Sequence, residues 1–264
     1  MSGTVQRNAR VTAPKQMALP LPVRGGKRAG AGRKRGPNGS AGHHRRPKVN
    51  RHVPAHITLR VVRGLPTLRS ERCLAPIRDA LRAVRRRTGF RLVHFSVQHD
   101  HVHLVTEAAS NESLARAMAG LCIRVARRLN RALGRSGKVF AARYHAVPLK
   151  SPKQTRDALA YVLLNGRHHA AGRGLAMDPG PVLLDPCSSA AVFDGWRPDV
   201  SVARAPPGRV DVGELVGVAT AWILRVGWRR WGLIDPRGVP GQGRRGRRGR
   251  SPVDSAGAGD NPRG

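Results

Sequence analysis

Two short patterns hold the side chains best suited to chemistry. His101-Val102-His103 sets two imidazoles two residues apart in an apolar, β-branched stretch. Side chains alternate across a strand, so both rings project from one face while Val102 and Leu104 turn to the other. Two neutral imidazoles side by side make half of a metal site, although a pair of solvated histidines satisfies the same alternation. The second pattern is Tyr161-Val162-Leu163-Leu164-Asn165. At about 100° per residue, Thr155, Ala158, Leu159, Val162 and Leu163 form one helix face, and Gln154, Asp157, Tyr161, Asn165 and His168 share another stripe. Tyr161 is therefore off the apolar face with Asn165 one turn beyond it, a phase that a tyrosine at the rim of the core also fits. A single helix can thus present a phenolate and an amide oxygen to a cation held by the histidine pair.

The remaining elements must bring these patterns together. Residues 56–62 are β-branched and predict a first strand. Ser70-Glu71 opens a helix to about Thr88, with Leu74, Ile77, Leu81 and Val84 at helical spacing and Gly89 as its stop. Residues 90–98 alternate, placing Val93, Phe95 and Val97 on one face, and the His99-Asp100 turn leads into a strand over 101–107. A long helix over 112–134 carries Leu114, Met118, Leu121, Val125 and Leu129, with its arginines largely off that stripe. Residues 139–149 predict a fourth strand. Ser151, Pro152 and Gln154 then supply an N-cap, a first-turn proline and a capping box for the last helix. The order β-α-β-β-α-β-α is α+β: a ferredoxin-like, mostly antiparallel four-stranded sheet with packed helices and one extra helix. Many functions share that layout, so the fold alone decides none of them.

Composition narrows the partner. The 264 residues hold 49 Lys+Arg against 15 Asp+Glu, a net charge of +34 that self-repels unless a polyanion neutralises it. Nucleic acid fits this charge. A membrane surface does not, because the chain shows neither a basic amphipathic helix with a strong apolar face nor a lipidation signal, and its longest mostly apolar run, 215–224, is too short to span a bilayer. The N-terminus has no signal-peptide pattern, so the expected location is the cytoplasm, in association with the nucleoid. Cys73, Cys122 and Cys187 are too few and too scattered for a disulfide framework or a zinc site.

Four segments are expected along the chain. Residues 1–50 contain no acid and read as a disordered basic arm, in which Gly32-Arg33-Lys34-Arg35-Gly36-Pro37 vaguely resembles an arm that enters a DNA minor groove. Residues 51–175 form the sheet domain. A C-terminal extension over 176–237 holds all four tryptophans, and residues 238–264 form a second disordered basic tail. Within the extension, Trp222, Trp228 and Trp231 alternate with Arg225, Arg229 and Arg230, a pattern that either stacks on bases or packs the extension against the sheet domain.

The stretch from Val97 to Leu104 with its His-Val-His core, followed by Tyr161-Val162-Leu163-Leu164-Asn165, resembles the HUH single-tyrosine transposases, and most closely those associated with repetitive extragenic palindromes. The likeness covers roughly residues 50–175. It implies that His101 and His103 are metal ligands, that Tyr161 is the nucleophile and that Asn165 is the third, polar ligand. Members often carry Pro-Asn before the first histidine and Asn-Pro at the later asparagine; here those places hold His99-Asp100 and Asn165-Gly166. The implied reaction is cleavage and rejoining of single-stranded DNA with hairpin or palindromic ends, through a 5′-phosphotyrosine and a free 3′-hydroxyl. The implied cofactor is Mg2+ or Mn2+, although imidazole ligands on general grounds suit manganese or zinc better than magnesium.

Arg124, Arg127, Arg128, Arg131, Arg143 and Lys150 are the basic residues expected to touch nucleic acid, with the protein acting as a monomer or homodimer. Tyr144, the other tyrosine, alternates with Phe140, Ala142 and Ala146 and reads as sheet packing. Two other functions remain open at this level: a catalytically inactive DNA- or RNA-binding protein of the same fold, and a water-using metal hydrolase for which Asp100 and Glu107 are the only nearby carboxylates.

Overall fold

The computed structural model of the chain describes residues 47–85, 87–174, 180–203 and 211–240. The basic arm and the basic tail expected from the sequence lie outside the described residues, apart from 47–50 and 238–240.

Strand β1 (Ala55–Arg60) leads into helix α1 (Glu71–Arg85), the hairpin β2 (Phe90–Val97) and β3 (His101–Ala108), helix α2 (Asn111–Leu133) and strand β4 (His145–Pro148). The order across the sheet is β2-β3-β1-β4, with every neighbouring pair antiparallel. This is the ferredoxin-like layout that the sequence predicts. Gly89, at φ +71°, makes the turn between α1 and β2 in a conformation that favours glycine. Helix α2 is capped as its sequence demands: Ser110 Oγ accepts the Ser113 N–H, and Gly134 closes the far end at φ +64°.

The sheet has a core on each face. On one side Ile57 and Leu59 of β1, Leu92, Phe95 and Val97 of β2, and Val102 and Leu104 of β3 pack against α1 and α2. On the other, Val93 and Val105 meet helix α3 (Pro152–Leu163), together with Leu184, Phe193, Leu224 and Trp228 of the C-terminal extension. Strand alternation therefore delivers His56, Thr58, His101 and His103 to the α3 face, because their neighbours Ile57, Leu59, Val102 and Leu104 belong to the opposite core.

Three local expectations are corrected. A bulge between Leu92 and His94 puts Val93 in the α3 core, on the opposite side from Phe95 and Val97, since one extra residue reverses the alternation. The fourth strand is only His145–Pro148; the backbone of residues 139–144 pairs with the sheet only at an isolated bridge between Val61 and Phe140. The last helix is also two. Helix α3 ends at Leu163, Leu164 sits at φ −105°, ψ 13°, and α4 (Asn165–Gly172) begins directly after it.

The extension lies along the β2 edge of the α3 layer. The Val97 N–H donates to the Cys187 carbonyl (2.8 Å) and the Ser189 N–H to the Phe95 carbonyl (2.9 Å). Trp228 is 1% exposed, in face-to-face contact with Phe193, whereas Trp222 and Trp231 are each about half exposed. Among the described residues no helix is long and apolar enough to cross a membrane.

Candidate active site

The register of β1 on β3 places Thr58 directly opposite His103 and Arg60 opposite His101. His103 is buried, 3% exposed, and its Nδ1 has two partners on β1: His56 Nε2 at 3.0 Å and Thr58 Oγ1 at 3.2 Å. When Nδ1–H donates to either, the Nε2 lone pair is left available; that Nε2 is buried and has no hydrogen-bond partner. His101 is fixed in the same way, its Nδ1 2.7 Å from Asp100 Oδ1. The two rings lie 4.6 Å apart, edge to face.

Burial drives His103 and His56 toward the neutral form, which for His103 is the form that a metal ligand requires. Loss of solvent, followed by repulsion from His56, His101 and His169, pushes His103 down to about 3. His56 falls to about 4, through burial first and then the nearby His145. Asp100 is held below the usual carboxylate range by the hydrogen bond from His101 and, beyond that, by Arg60.

Helix α3 brings the tyrosine to this cluster. Ser151 Oγ accepts the Gln154 N–H at 3.2 Å, and Gln154 Oε1 reaches back to the Lys150 N–H at 2.9 Å, one residue earlier than in the usual reciprocal cap. With the start of the helix fixed, Thr155, Ala158, Leu159, Val162 and Leu163 are its buried residues, the five that the periodicity predicts. Tyr161 is on the flank of that face, half-buried, with its ring 5.2 Å from His103 and 5.9 Å from His56. Asn165 opens α4 one turn later; it is fully buried, and neither its Oδ1 nor its Nδ2 has a hydrogen-bond partner. A buried amide with both ends free is costly unless something pairs with it.

Among the described residues no group of three or more His, Cys, Asp or Glu side chains is arranged to hold a metal ion. A cation at the histidine pair therefore needs an amide or solvent to complete its shell. The buried, unpaired atoms His103 Nε2 and Asn165 Oδ1 are the donor types such a shell takes, so the residues present fit a divalent cation.

The structure also assembles residues beyond the expected four, of which His56 and Thr58 are not singled out by the sequence, whereas the sequence already places His168 and His169 within reach of the site. His56 and Thr58 orient His103 from a neighbouring strand, and only the β1–β3 register reveals it. His169 on α4 stands 5.7 Å from the His101 ring with its Nε2 buried and unpaired, and burial first, then His101, lowers its pKa. His168 is 6.1 Å from the Tyr161 ring, with its Nδ1 on the Pro240 carbonyl at 2.7 Å.

Other expected residues lie elsewhere. Arg124, Arg127, Arg128 and Arg131 belong to α2, in the layer across the sheet from the histidines, because α2 packs on the Val102 and Leu104 face. Arg143 and Lys150 are exposed beside β4 and before α3. Tyr144 packs against the α1/α2 core, as the sequence predicts. Glu107 is at the opposite end of β3 from His101, so it is no carboxylate partner for the cluster. It accepts from Thr220, Ala221 and Arg91 instead.

Comparison with known proteins matches residues 51–162 to the family described as Transposase IS200 like. A solved REP-associated tyrosine transposase bound to a REP hairpin is 15% identical, over 56% of this chain and 96% of its own, at a TM-score of 0.39. A crystal structure of a protein from Deinococcus radiodurans R1 designated a transposase is 19% identical, over 52% of this chain and 99% of its own, at a TM-score of 0.33. None of the curated proteins matches. His101, His103 and Tyr161 all fall inside the segment that is similar to this family, whereas Asn165 and the extension lie beyond it.

Proposed function

We propose that this protein cleaves and rejoins single-stranded DNA with hairpin or palindromic ends, with Tyr161 as nucleophile and a divalent cation held by His101, His103 and Asn165. The observation that carries the reading is the convergence of Tyr161 with His103, ring centres 5.2 Å apart, from two elements that only the tertiary fold brings together. The buried, unpaired His103 Nε2 and Asn165 amide support the ligand assignment.

When bound, Mg2+ or Mn2+ neutralises charge on the scissile phosphate and favours the phenolate of a nearby tyrosine. The chain supplies the geometry. His56, Thr58 and Asp100 hold the two imidazoles by their Nδ1 atoms, turning the Nε2 atoms away from the strand. Tyr161 loses its phenolic proton and its Oη bonds to phosphorus; the bond from phosphorus to the 3′ oxygen breaks, and that oxygen takes up a proton. The products are a 5′-phosphotyrosine and a free 3′-hydroxyl. Because the ester retains the bond energy, attack by a second 3′-hydroxyl reverses the step and joins strands without a nucleotide cofactor. The single-strand substrate class comes from the family resemblance, and the charge of +34 supports a polyanionic partner.

The test is to incubate the full chain with single-stranded hairpin DNA and Mn2+ and look for a covalent protein–DNA adduct. The adduct is expected with the native chain and absent from the His101→Ala/His103→Ala double variant, which still binds the DNA. Undiminished cleavage by that double variant overturns the metal assignment.

A further inference from the structure

Gly166, the neighbour of Asn165, lies against a carboxylate from outside the matched segment, that of Asp185. Arg69, in the loop between β1 and α1, meets Asp185 of the extension through two parallel hydrogen bonds, Nη2 to Oδ1 at 2.8 Å and Nη1 to Oδ2 at 2.9 Å. Each partner is tied down further: Arg69 Nη1 also donates to the Val97 carbonyl (3.0 Å), and Asp185 Oδ1 accepts the Cys187 N–H (2.9 Å). The side chains are only 25% and 10% exposed, so the pair is shielded and its geometry is fixed.

The carboxylate lies against the first turn of α4. A Cβ built on Gly166 would stand 2.8 Å from Asp185 Oδ2, closer than real Cβ atoms come to such a neighbour. Only glycine lets the backbone next to Asn165 come this near. The same loop reaches the other end of α4: the Leu68 N–H donates to the His99 carbonyl (2.9 Å), and His99 Nε2 accepts from Arg173, just beyond α4, at 3.1 Å. Residues 67–69 therefore couple the turn before His101, the extension, and both ends of the helix that begins with Asn165.

We propose that the Arg69–Asp185 pair is a positioning clamp: it presses on Gly166 and sets the depth of Asn165 relative to His101 and His103, which makes the C-terminal extension part of the metal site. This rests on the cation reading above. It assigns the extension a role in the chemistry of the site besides that of packing against the sheet.

The test reads Mn2+ affinity of the full chain without DNA, by electron paramagnetic resonance of the free ion, at a temperature well below unfolding. Asp185→Ala and Gly166→Ala are each expected to weaken Mn2+ binding by about tenfold or more, the range seen when groups behind metal ligands are lost. Asp185→Asn keeps an acceptor for Cys187 and should fall between Asp185→Ala and the native chain. In the Gly166→Ala/Asp185→Ala pair the clash is gone, so the loss should be no greater than for Asp185→Ala alone. If His103→Ala loses Mn2+ while Asp185→Ala and Gly166→Ala bind it as the native chain does, with only a lowered Tm, the clamp is refuted and the metal site stands. If His103→Ala itself keeps native affinity, the cation reading falls and the clamp with it. Should Asp185→Ala not fold, Asp185→Asn and Gly166→Ala decide the question.

Discussion

His56 and His103 are 47 residues apart in sequence, yet their rings are joined by a 3.0 Å contact between Nε2 and Nδ1 across the β1–β3 pair. Thr58, directly opposite His103, reaches the same nitrogen at 3.2 Å. Two side chains of one strand thus set the ring orientation of a histidine on the next.

Removing that support should loosen the metal ligand without deleting it. His56→Ala is expected to lower Mn2+ affinity and adduct yield by about tenfold, short of the loss in His103→Ala. Titration calorimetry with Mn2+ measures this directly, and native affinity in a His56→Ala/Thr58→Val chain would show that His103 holds its orientation unaided.

Tyr161→Phe deletes one hydroxyl from a half-buried ring, so folding, hairpin binding and metal binding should persist. No covalent DNA adduct should form, whereas Tyr144→Phe still yields one. Peptide mapping of the native adduct identifies the attached residue, and a nucleotide on the Tyr144 peptide would reassign the nucleophile.

Glu107 is 5% exposed and holds the extension to β3: Oε1 accepts the Thr220 and Ala221 N–H groups, each at 2.8 Å, and Oε2 accepts Thr220 Oγ1 at 2.7 Å and Arg91 at 2.9 Å. Glu107→Ala strands the buried Ala221 N–H and should cost roughly 2 kcal/mol, as leaving a buried donor unpaired does. Urea denaturation reads the loss. Adduct formation at low temperature should survive, because Glu107 is remote from the histidines.

His94, with Nδ1 3.1 Å from Ser189 Oγ and Phe193 edge-on to its ring, is pushed by burial from its ordinary 6.5 down to about 4. The unfolded chain takes up this proton as pH falls through 6.5, but the folded chain resists until about 4. Stability is therefore lost with falling pH across that window, by about 2 kcal/mol at pH 5 from this residue. His94→Gln should show a correspondingly smaller drop between pH 7.5 and 5 in urea titrations. An equal drop in both proteins would mean that His94 is not kept neutral by the fold.

Periodicity in the chain determined most of the frame. The five buried positions of α3 follow from a stripe repeating every three to four residues, and the outward flank left for Tyr161 follows with them. Strand alternation put His101 and His103 on one face because Val102 and Leu104 claim the other. Local signals of this kind act over a few residues, so they are written in the sequence. They fail where a long-range contact overrides them. The bulge that turns Val93 away from Phe95 depends on how β2 pairs with β3. The break at Leu164 separates Tyr161 and Asn165 onto two helices, and the Gly166 backbone beside it lies against Asp185, a residue of the extension. The partners of His103 are set by strand register, and the α2 arginines lie across the sheet because their helix packs on the other core. Residue types and spacing thus determined which groups could do chemistry. Tertiary structure decided which of them meet, because pairing register and layer order join residues that no local repeat relates.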